Sequence, residues 1–323
     1  MGERGFRLCY VHKDELVLVE SRNGSGFERT NKFTACLNTQ VFSATYVVTD
    51  SGSGASQSSS GSSSSSSPKS TAEYLVVCSN QGAQLWSVDG ERMEWFHQLV
   101  DLVEDGILSS ETRQLHFMRG SCGLVSSMGV GCVAVGSSLG TLYVLNVSGD
   151  VLHRLSTQSA AAVTAVAASR QFLFCANDDG DLLGYRIHSS FDTAMRIPGR
   201  GDACTTLACK GNVVIAGFST GHIRIYRAEI GELAIELAAH SRSITALSLH
   251  PSSAYVASVG EDQQLNVWTC PDFLTPSGSD IDLGYSCRLE HSLCTGVAWG
   301  PDGRLLVGVY DVDEIAIYFA SER

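Results

Sequence analysis

The stretch VVIAGFSTGHIRIY, residues 213–226, reads as an apolar strand, a short polar turn and a second strand that ends in a large residue. Apolar and polar side chains alternate along it, which is typical of a β-hairpin with apolar side chains to bury. The pattern recurs about every 40 to 50 residues. Its other copies are Leu8–Glu20, Leu75–Trp86, Cys132–Leu145, Phe172–Tyr185, Val256–Trp268 and Arg304–Phe319.

Hairpins with this period, and no helical pattern between them, predict an all-β propeller of four-stranded blades. One hairpin alone leaves its apolar face in water, so the blades must stack around a ring to bury it. We expect one domain over residues 1–323 with seven blades; a count of six and an incomplete first blade stay open. The turn position that favours positive φ is occupied, in successive copies, by Gly82, Gly140, Gly180, Gly221, Gln263 and Glu314.

The composition argues against several classes of protein. No apolar run approaches the length of about 20 residues that a membrane span needs, and the charged start MGERGFR lacks a signal-peptide core. The formal net charge of -12 argues against nucleic acid as a partner, because binding phosphates requires a basic surface. We therefore expect a cytoplasmic protein that neither inserts into a membrane nor binds nucleic acid.

The 11 cysteines give no sign of a metal or redox site. They are scattered on strands and turns without a C-x-x-C pair or a Cys–His cluster at ligand spacing. Free cysteine behaves as a small apolar core residue. We expect reduced, mostly buried thiols, no metal and no cofactor.

One low-complexity stretch, Ser51–Ser70, interrupts the second blade. It is nearly pure serine and glycine and cannot bury enough apolar surface to become ordered. We interpret it as a disordered insertion; the functional alternative is multi-site phosphorylation, which would add negative charge near one face. A shorter excursion, Pro271–Ser286, is expected to loop out between blades.

The most specific motif lies in the sixth copy, which reads AHSRSITALSLHP and then VASVGEDQQLNVW. This blade resembles a WD repeat, in which a His, a Ser or Thr, an Asp and a Trp form a hydrogen-bonded tetrad. The resemblance implies that His240, Ser258, Asp262 and Trp268 form the tetrad here. Buried polar groups that satisfy one another fix a single packing.

The last copy repeats the motif in a degenerate form, with His291, Asp313 and Phe319 at matching distances and Val309 at the serine position. The chain is therefore identified as a member of the WD-repeat propeller family. The resemblance implies a rigid platform that holds protein partners on its faces and rim, without a catalytic site.

Several serines imitate hydrolase motifs. Ser138 and Ser219 each lie in a G-x-S-x-G match, but that motif requires a sharp strand-to-helix turn, whereas both lie at a predicted hairpin turn. Ser258 with His240 and Asp262 imitates a catalytic triad, yet the repeat predicts a buried structural network at this place. We expect no enzymatic activity.

We therefore expect a non-catalytic protein-interaction scaffold whose partners are other proteins. If the strand order follows the family, the loops before the first strand of each blade line one face, and Arg200 and Arg242 fall in such loops. Arginine is enriched where partner proteins bind most strongly, so these two are the candidate partner contacts. Both a monomer and weak self-association stay open.

Two alternatives remain. The first is a substrate receptor of a cullin-type ubiquitin ligase, a role that typically shows Trp-Asp-x-Arg at the end of a third strand; none of the copies reads so. The second is a structural protein of cilia or microtubules, which the acidic net charge disfavours because tubulin is also acidic.

Overall fold

A computed structural model describes residues 6–12, 15–21, 28–34, 40–50, 71–103, 117–124, 131–188, 190–269, 281–290, 293–300, 303–310 and 315–319. These residues form seven antiparallel sheets, of which five have four strands and two have three. The sheets follow one another in chain order, and we call them blades 1 to 7. The prediction of an all-β propeller with seven blades is confirmed.

Blade 1 consists of β1 Phe6–His12, β2 Glu15–Ser21 and β3 Glu28–Thr34, and blade 2 consists of β4 Val41–Asp50, β5 Thr71–Ser79, β6 Gly82–Ser87 and β7 Met93–Gln98. Blade 3 consists of β8 Met118–Leu124, β9 Cys132–Ser137, β10 Thr141–Asn146 and β11 Val151–Ser156. Blade 4 consists of β12 Val163–Ala168, β13 Phe172–Asn177, β14 Leu182–Arg186 and β15 Thr193–Ile197. The four-residue helix α1, Leu99–Leu102, follows β7. Within the described ranges, no helix is long and apolar enough to span a membrane. The predicted insertion Ser51–Ser70 falls between β4 and β5 and lies outside the described residues.

Blade 5 consists of β16 Cys204–Lys210, β17 Val213–Phe218, β18 His222–Arg227 and β19 Glu232–Ala238. Blade 6 consists of β20 Ile244–Leu249, β21 Tyr255–Gly260, β22 Gln264–Thr269 and β23 Asp282–Arg288. Blade 7 consists of β24 Cys294–Trp299, β25 Arg304–Val309 and β26 Ile315–Phe319. The expectation that Pro271–Ser286 loops out is wrong for its last part, because β23 pairs with β22 from Asp282 onward. Leu283, Tyr285 and Cys287 alternate as strand residues do. Residues 271–280 lie outside the described part of the chain.

Strands that follow one another along the chain are hydrogen-bonded neighbours within each blade. The inner strands β4, β8, β12, β16, β20 and β24 lie next to one another around the ring. The repeated hairpins of the sequence are the second and third strands of the blades; residues 213–226, for example, form β17 and β18. The strand next to the channel and the outermost strand therefore flank each recognisable copy.

Buried apolar clusters hold the blades together. Six such clusters are found among the described residues, and each joins two successive blades. Between blades 5 and 6, Ile215 and Ile225 pack with Ile244 and Val256. Apolar burial contributes about 25 cal/mol per Å², so each blade depends on its neighbours, as the repeat pattern predicted.

The turn between the second and third strands has the predicted left-handed conformation. Gly140, Gly180 and Gly221 have φ values of 70°, 84° and 82°. At Gly221 a Cβ atom would lie 2.1 Å from the carbonyl oxygen of His240, so glycine also permits close approach of the next loop. Gln263 occupies the position in blade 6 and adopts a φ of 66° despite its side chain.

Each described outer strand carries a bulge at the same place, opposite the end of the third strand. A residue beside the bulge packs on the turn that joins the third and outer strands of the next blade. Trp95 lies against Gly149, and Met195 lies against Gly231. The outer strands of blades 2 and 4 are thus each covered by a turn of the next blade.

Candidate functional site

The four predicted tetrad residues lie together in blade 6. His240 precedes β20, Ser258 lies on β21, Asp262 lies in the turn after β21, and Trp268 lies near the end of β22. The Nδ1 atom of His240 is 2.9 Å from Oδ1 of Asp262, and its Nε2 atom is 2.8 Å from Oγ of Ser258. The indole Nε1 of Trp268 is 3.0 Å from the same Oγ.

These contacts form one consistent chain of hydrogen bonds when the imidazole is neutral. The Trp268 N–H donates to the Ser258 hydroxyl, that hydroxyl donates to Nε2 of His240, and Nδ1–H of His240 donates to Asp262. The second oxygen of Asp262 accepts from the backbone N–H of Ser241 at 2.9 Å. The side chains thereby satisfy one another away from water.

The surroundings of Asp262 favour its charged form. Burial on its own would raise the pKa of this carboxyl, but hydrogen bonds from His240 and from the Ser241 and Gln264 backbone N–H groups outweigh it, and the pKa is lowered from its ordinary value. The carboxylate therefore stays ionised at neutral pH. Its role is to orient the imidazole and to anchor the loop that begins at Ser241.

The geometry does not favour Ser258 as a nucleophile. Its side chain is fully buried and its hydroxyl is engaged by both Trp268 and His240, so a substrate could not reach it. Ser138 and Ser219 lie in the hairpin turns between β9 and β10 and between β17 and β18, as expected from the sequence. Neither turn leads into a helix, which the G-x-S-x-G motif requires.

The degenerate tetrad predicted for blade 7 lies mostly outside the described residues. His291 and Asp313 lie outside the described residues, and Phe319 ends β26 with a side chain that also lies outside them. In the part of the chain that the structure describes, no group of three or more His, Cys, Asp or Glu side chains could hold a metal ion.

Arg200 and Arg242 are both exposed and lie in the loops before β16 and β20. These loops share one end of the ring with the turns between second and third strands, because Gly180 lies against the backbone of Asp202 and Gly221 against that of His240. We call this end the loop face. Neither arginine side chain forms a hydrogen bond or ion pair with another described residue.

An ion pair with Arg224 holds the loop that carries Arg200. Asp202 is 3.3 Å from the guanidinium of Arg224, whose Nε is 2.6 Å from Glu236. Arg224 is buried and lies 4.3 Å from the ring centre of Phe218. This ion-pair network was not anticipated from the sequence, because its members come from three separate strands and loops.

A row of three threonines links the inner strands of blades 4 to 7 near the loop face. Thr205 Oγ1 donates to the carbonyl of Ile244 at 2.5 Å, Thr245 Oγ1 donates to that of Cys294 at 2.8 Å, and Thr164 donates to that of Cys204. In each case the acceptor is the first residue of the next inner strand. These threonines share one feature in the sequence: each inner strand begins with an apolar residue that is followed by the threonine.

Arg119 occupies the equivalent place in β8, as its second residue. It is partly buried, and desolvation lowers the pKa of its guanidinium. Its side chain forms no hydrogen bond or ion pair with the described residues. The sequence pattern did not point to this residue because the first strand of blade 3 lies outside the recognisable hairpin.

Comparison with known proteins agrees with this architecture. The model of the WDR54 family matches residues 69–320. WD repeat-containing protein 54 of Mus musculus is 29% identical over 256 residues, which cover 75% of this chain and 73% of the mouse protein. The protein of the same name from Homo sapiens is 27% identical over 258 residues, with the same two coverages.

A further relative is the Gallus gallus protein named p21-activated protein kinase-interacting protein 1-like, 25% identical over 173 residues that cover 53% of this chain and 43% of that protein. Because the family model matches more than half of the chain, the chain belongs to the WDR54 family of WD-repeat proteins.

Proposed function

We propose that this protein is a non-catalytic scaffold of the cytoplasm that binds partner proteins on its loop face. The observation that carries the proposal is the pair Arg200 and Arg242, two exposed arginines at the same end of the ring, on loops held by neighbouring carboxylates. Membership of a WD-repeat family supports it, since propellers of this kind generally bind proteins. The name of the chicken relative, a kinase-interacting protein, agrees with the same class of function.

The loops favour binding because they are ordered before a partner arrives. Asp202, two residues after Arg200, is paired with Arg224, and Ser241, next to Arg242, is bonded to Asp262. A partner that contacts these arginines does not have to order the loops, and so loses less conformational entropy on binding. Guanidinium groups favour carboxylates or phosphates, so an acidic segment is the expected counterpart.

Proximity labelling in living cells tests this function. The native chain is compared with the double variant Arg200→Ala, Arg242→Ala and with a control double variant, Arg170→Ala, Arg186→Ala. The control removes two exposed arginines that lie after β12 and at the end of β14, at the opposite end of the ring. Thermal unfolding of all three proteins checks that the fold is retained.

We expect a small set of labelled proteins that is lost in the Arg200→Ala, Arg242→Ala variant and kept in the control. An unchanged set in the first variant would reject the loop face as the binding surface. A native chain that enriches no protein at all would reject the scaffold function itself.

A further inference from the structure

Arg119 is a partly buried cation without a partner among the described residues. Burial lowers the pKa of its guanidinium, and no described carboxylate offsets that effect. Burial would also lower the pKa of Arg224 in blade 5, but its hydrogen bonds and ion pairs with Glu236 and Asp202 raise it. An isolated buried charge is costly, because it has left water without gaining a group of opposite charge.

Arg119 lies at the junction between blades 3 and 4, on the inner strand β8 and close to the loop face. It pairs with Gly136, which directly precedes the last residue of β9. A Cβ atom on Gly136 would lie 2.4 Å from Cγ1 of Val163, the first residue of blade 4. Paired residues share one face of a sheet, so Arg119 lies on the face of blade 3 that packs against blade 4.

The three residues directly before β12 carry no side chain that could pair with this guanidinium. Asp202, which pairs with Arg224, lies two residues before the inner strand of blade 5. Ala161 holds the corresponding place before the inner strand of blade 4, between Ala160 and Ala162. The chain therefore supplies a carboxylate at one junction and has a small apolar side chain at the same place in the other.

The loop that carries these alanines is held in place by hydrogen bonds. The buried Thr157 donates from Oγ1 to the carbonyl of Gly140 at 2.8 Å. Ser159 Oγ accepts from the backbone N–H of Ala161 at 3.1 Å. A ligand that reaches Arg119 therefore does not have to order this loop, which reduces the entropy cost of binding.

We propose that Arg119 is the anchor of a binding site for one oxyanion, a carboxylate or a phosphate, at the loop-face end of the junction between β8 and β12. The guanidinium presents a planar set of N–H donors that matches two oxygens of such a group. Partial burial strengthens the attraction, because these surroundings screen charge less than water does. The bound anion supplies the negative charge that the loop before β12 lacks.

Two sources of the oxyanion fit this chemistry. One is a small free anion such as inorganic phosphate, and the other is an acidic side chain of the segment expected on the loop face. The second source rests on the proposed function, whereas the site itself does not. The formal net charge of -12 repels anions at long range, so an oxyanion at Arg119 gains its affinity from close contact.

Thermal unfolding of the purified chain tests the site with inorganic phosphate at low millimolar concentration, against sodium chloride at equal ionic strength and pH. The variant Arg119→Met removes the charge and keeps a long, flexible side chain. The control Arg154→Met removes an exposed arginine from the outer strand of the same blade. Phosphate should raise the unfolding midpoint of the native chain and the control by about 3 °C or more, and leave that of Arg119→Met unchanged.

The same measurement in sodium chloride distinguishes a binding role from a structural one. Because an unpaired buried charge costs stability, Arg119→Met should unfold about 2 °C or more above the native chain. A residue that supports the fold gives the opposite sign. A lower midpoint for Arg119→Met, or a variant that does not fold, would overturn the proposal.

Fluorescence anisotropy tests an acidic side chain as the source, with a labelled hexaglutamate peptide and a hexaglutamine peptide as its uncharged control. The native chain should bind hexaglutamate about tenfold tighter than Arg119→Met does, and Arg154→Met should match the native chain within about twofold. An Arg119-dependent response to phosphate alone supports the site and assigns it to a free anion. An Arg119-dependent response to hexaglutamate alone supports the site and assigns it to an acidic segment.

Three outcomes of these two experiments would overturn the site. They are no response to either probe, an equal response of the native chain and Arg119→Met, and an equal loss of response in Arg154→Met. The site can fail separately from the loop-face function. The Arg200→Ala, Arg242→Ala variant keeps Arg119 and should respond to phosphate as the native chain does, whatever its effect on the labelled proteins.

Discussion

At the scale of the single residue, Asp262 links two parts of the molecule. One of its oxygens orients His240, and the other accepts from the backbone of Ser241 in the loop that carries Arg242. The same carboxylate therefore stabilises the core of blade 6 and the shape of the loop face. Buried polar networks of this kind are costly when one member is removed, because the remaining groups lose their partners.

Replacing Asp262 with alanine should destabilise the protein by about 2–4 kcal/mol, since it leaves His240 and a backbone N–H without acceptors. Urea unfolding followed by circular dichroism measures the change. Glu261→Ala is the matched control, because Glu261 is the adjacent exposed carboxylate, and it should cost less than about 0.5 kcal/mol. Equal losses in the two variants would show that the network contributes little.

The pKa of Asp262 also predicts a pH dependence. Because its pKa is lowered in the folded state, this group adds stability above its unfolded pKa and loses that contribution as the pH falls through the lower folded value. The difference in unfolding free energy between the native chain and Asp262→Asn should be full near about pH 6 and shrink below about pH 4. A difference that stays constant from about pH 6 to about pH 2.5 would contradict the lowered pKa.

At the scale of the structural element, the hairpin turns join each blade to the loop of the next. Gly221 has positive φ, and its Cα faces the carbonyls of His240 and Arg242 at a distance that admits no side chain. The loop-face geometry thus depends on a residue that carries no functional group. Gly201 has a similar φ of 86°, but no atom lies within 4 Å of the place that a Cβ would take there.

Alanine substitutions at Gly201 and Gly221 distinguish the stability cost of backbone strain from that of steric contact. Gly201→Ala should cost about 1 kcal/mol, from the left-handed conformation alone. Gly221→Ala should cost clearly more, about 2 kcal/mol or above, since the added methyl displaces the loop before β20. Chemical unfolding measures both, and similar values for the two variants would contradict the close approach seen at Gly221.

The outer strand β23 shows why some elements were missed. Asp282–Arg288 contains glycine and serine and follows a proline- and glycine-containing stretch, so composition predicted a loop. Its alternation of Leu283, Tyr285 and Cys287 is a strand signal, but three alternating residues next to turn-forming ones are ambiguous. Pairing with β22 decided the conformation.

At the scale of the whole molecule, stability comes from the junctions between blades. Cys78, Cys175 and Cys204 lie in these junctions and are fully buried, and desolvation raises the pKa of each thiol to about 12. The thiolate is the reactive form, so burial and the raised pKa both suppress reaction. The cysteines therefore report whether neighbouring blades stay packed.

We expect Cys78, Cys175 and Cys204 to resist iodoacetamide at about pH 8 in the native protein and to react fully in urea. Mass spectrometry of peptides after timed labelling gives the rate at each site. Labelling of these thiols in the native protein as rapid as in urea would contradict a tightly packed ring.

The local pattern determined much of this protein: the seven hairpins, the positive φ at their turns, and the four side chains that meet in blade 6. Each depends on residues within one blade, where alternation and spacing place side chains on known faces. The tertiary structure alone decided the two partners of Arg224, the row of threonines and the place of Arg119. These contacts join residues of different strands, loops or blades, and their distances are set by how the blades stack around the ring rather than by any period along the chain.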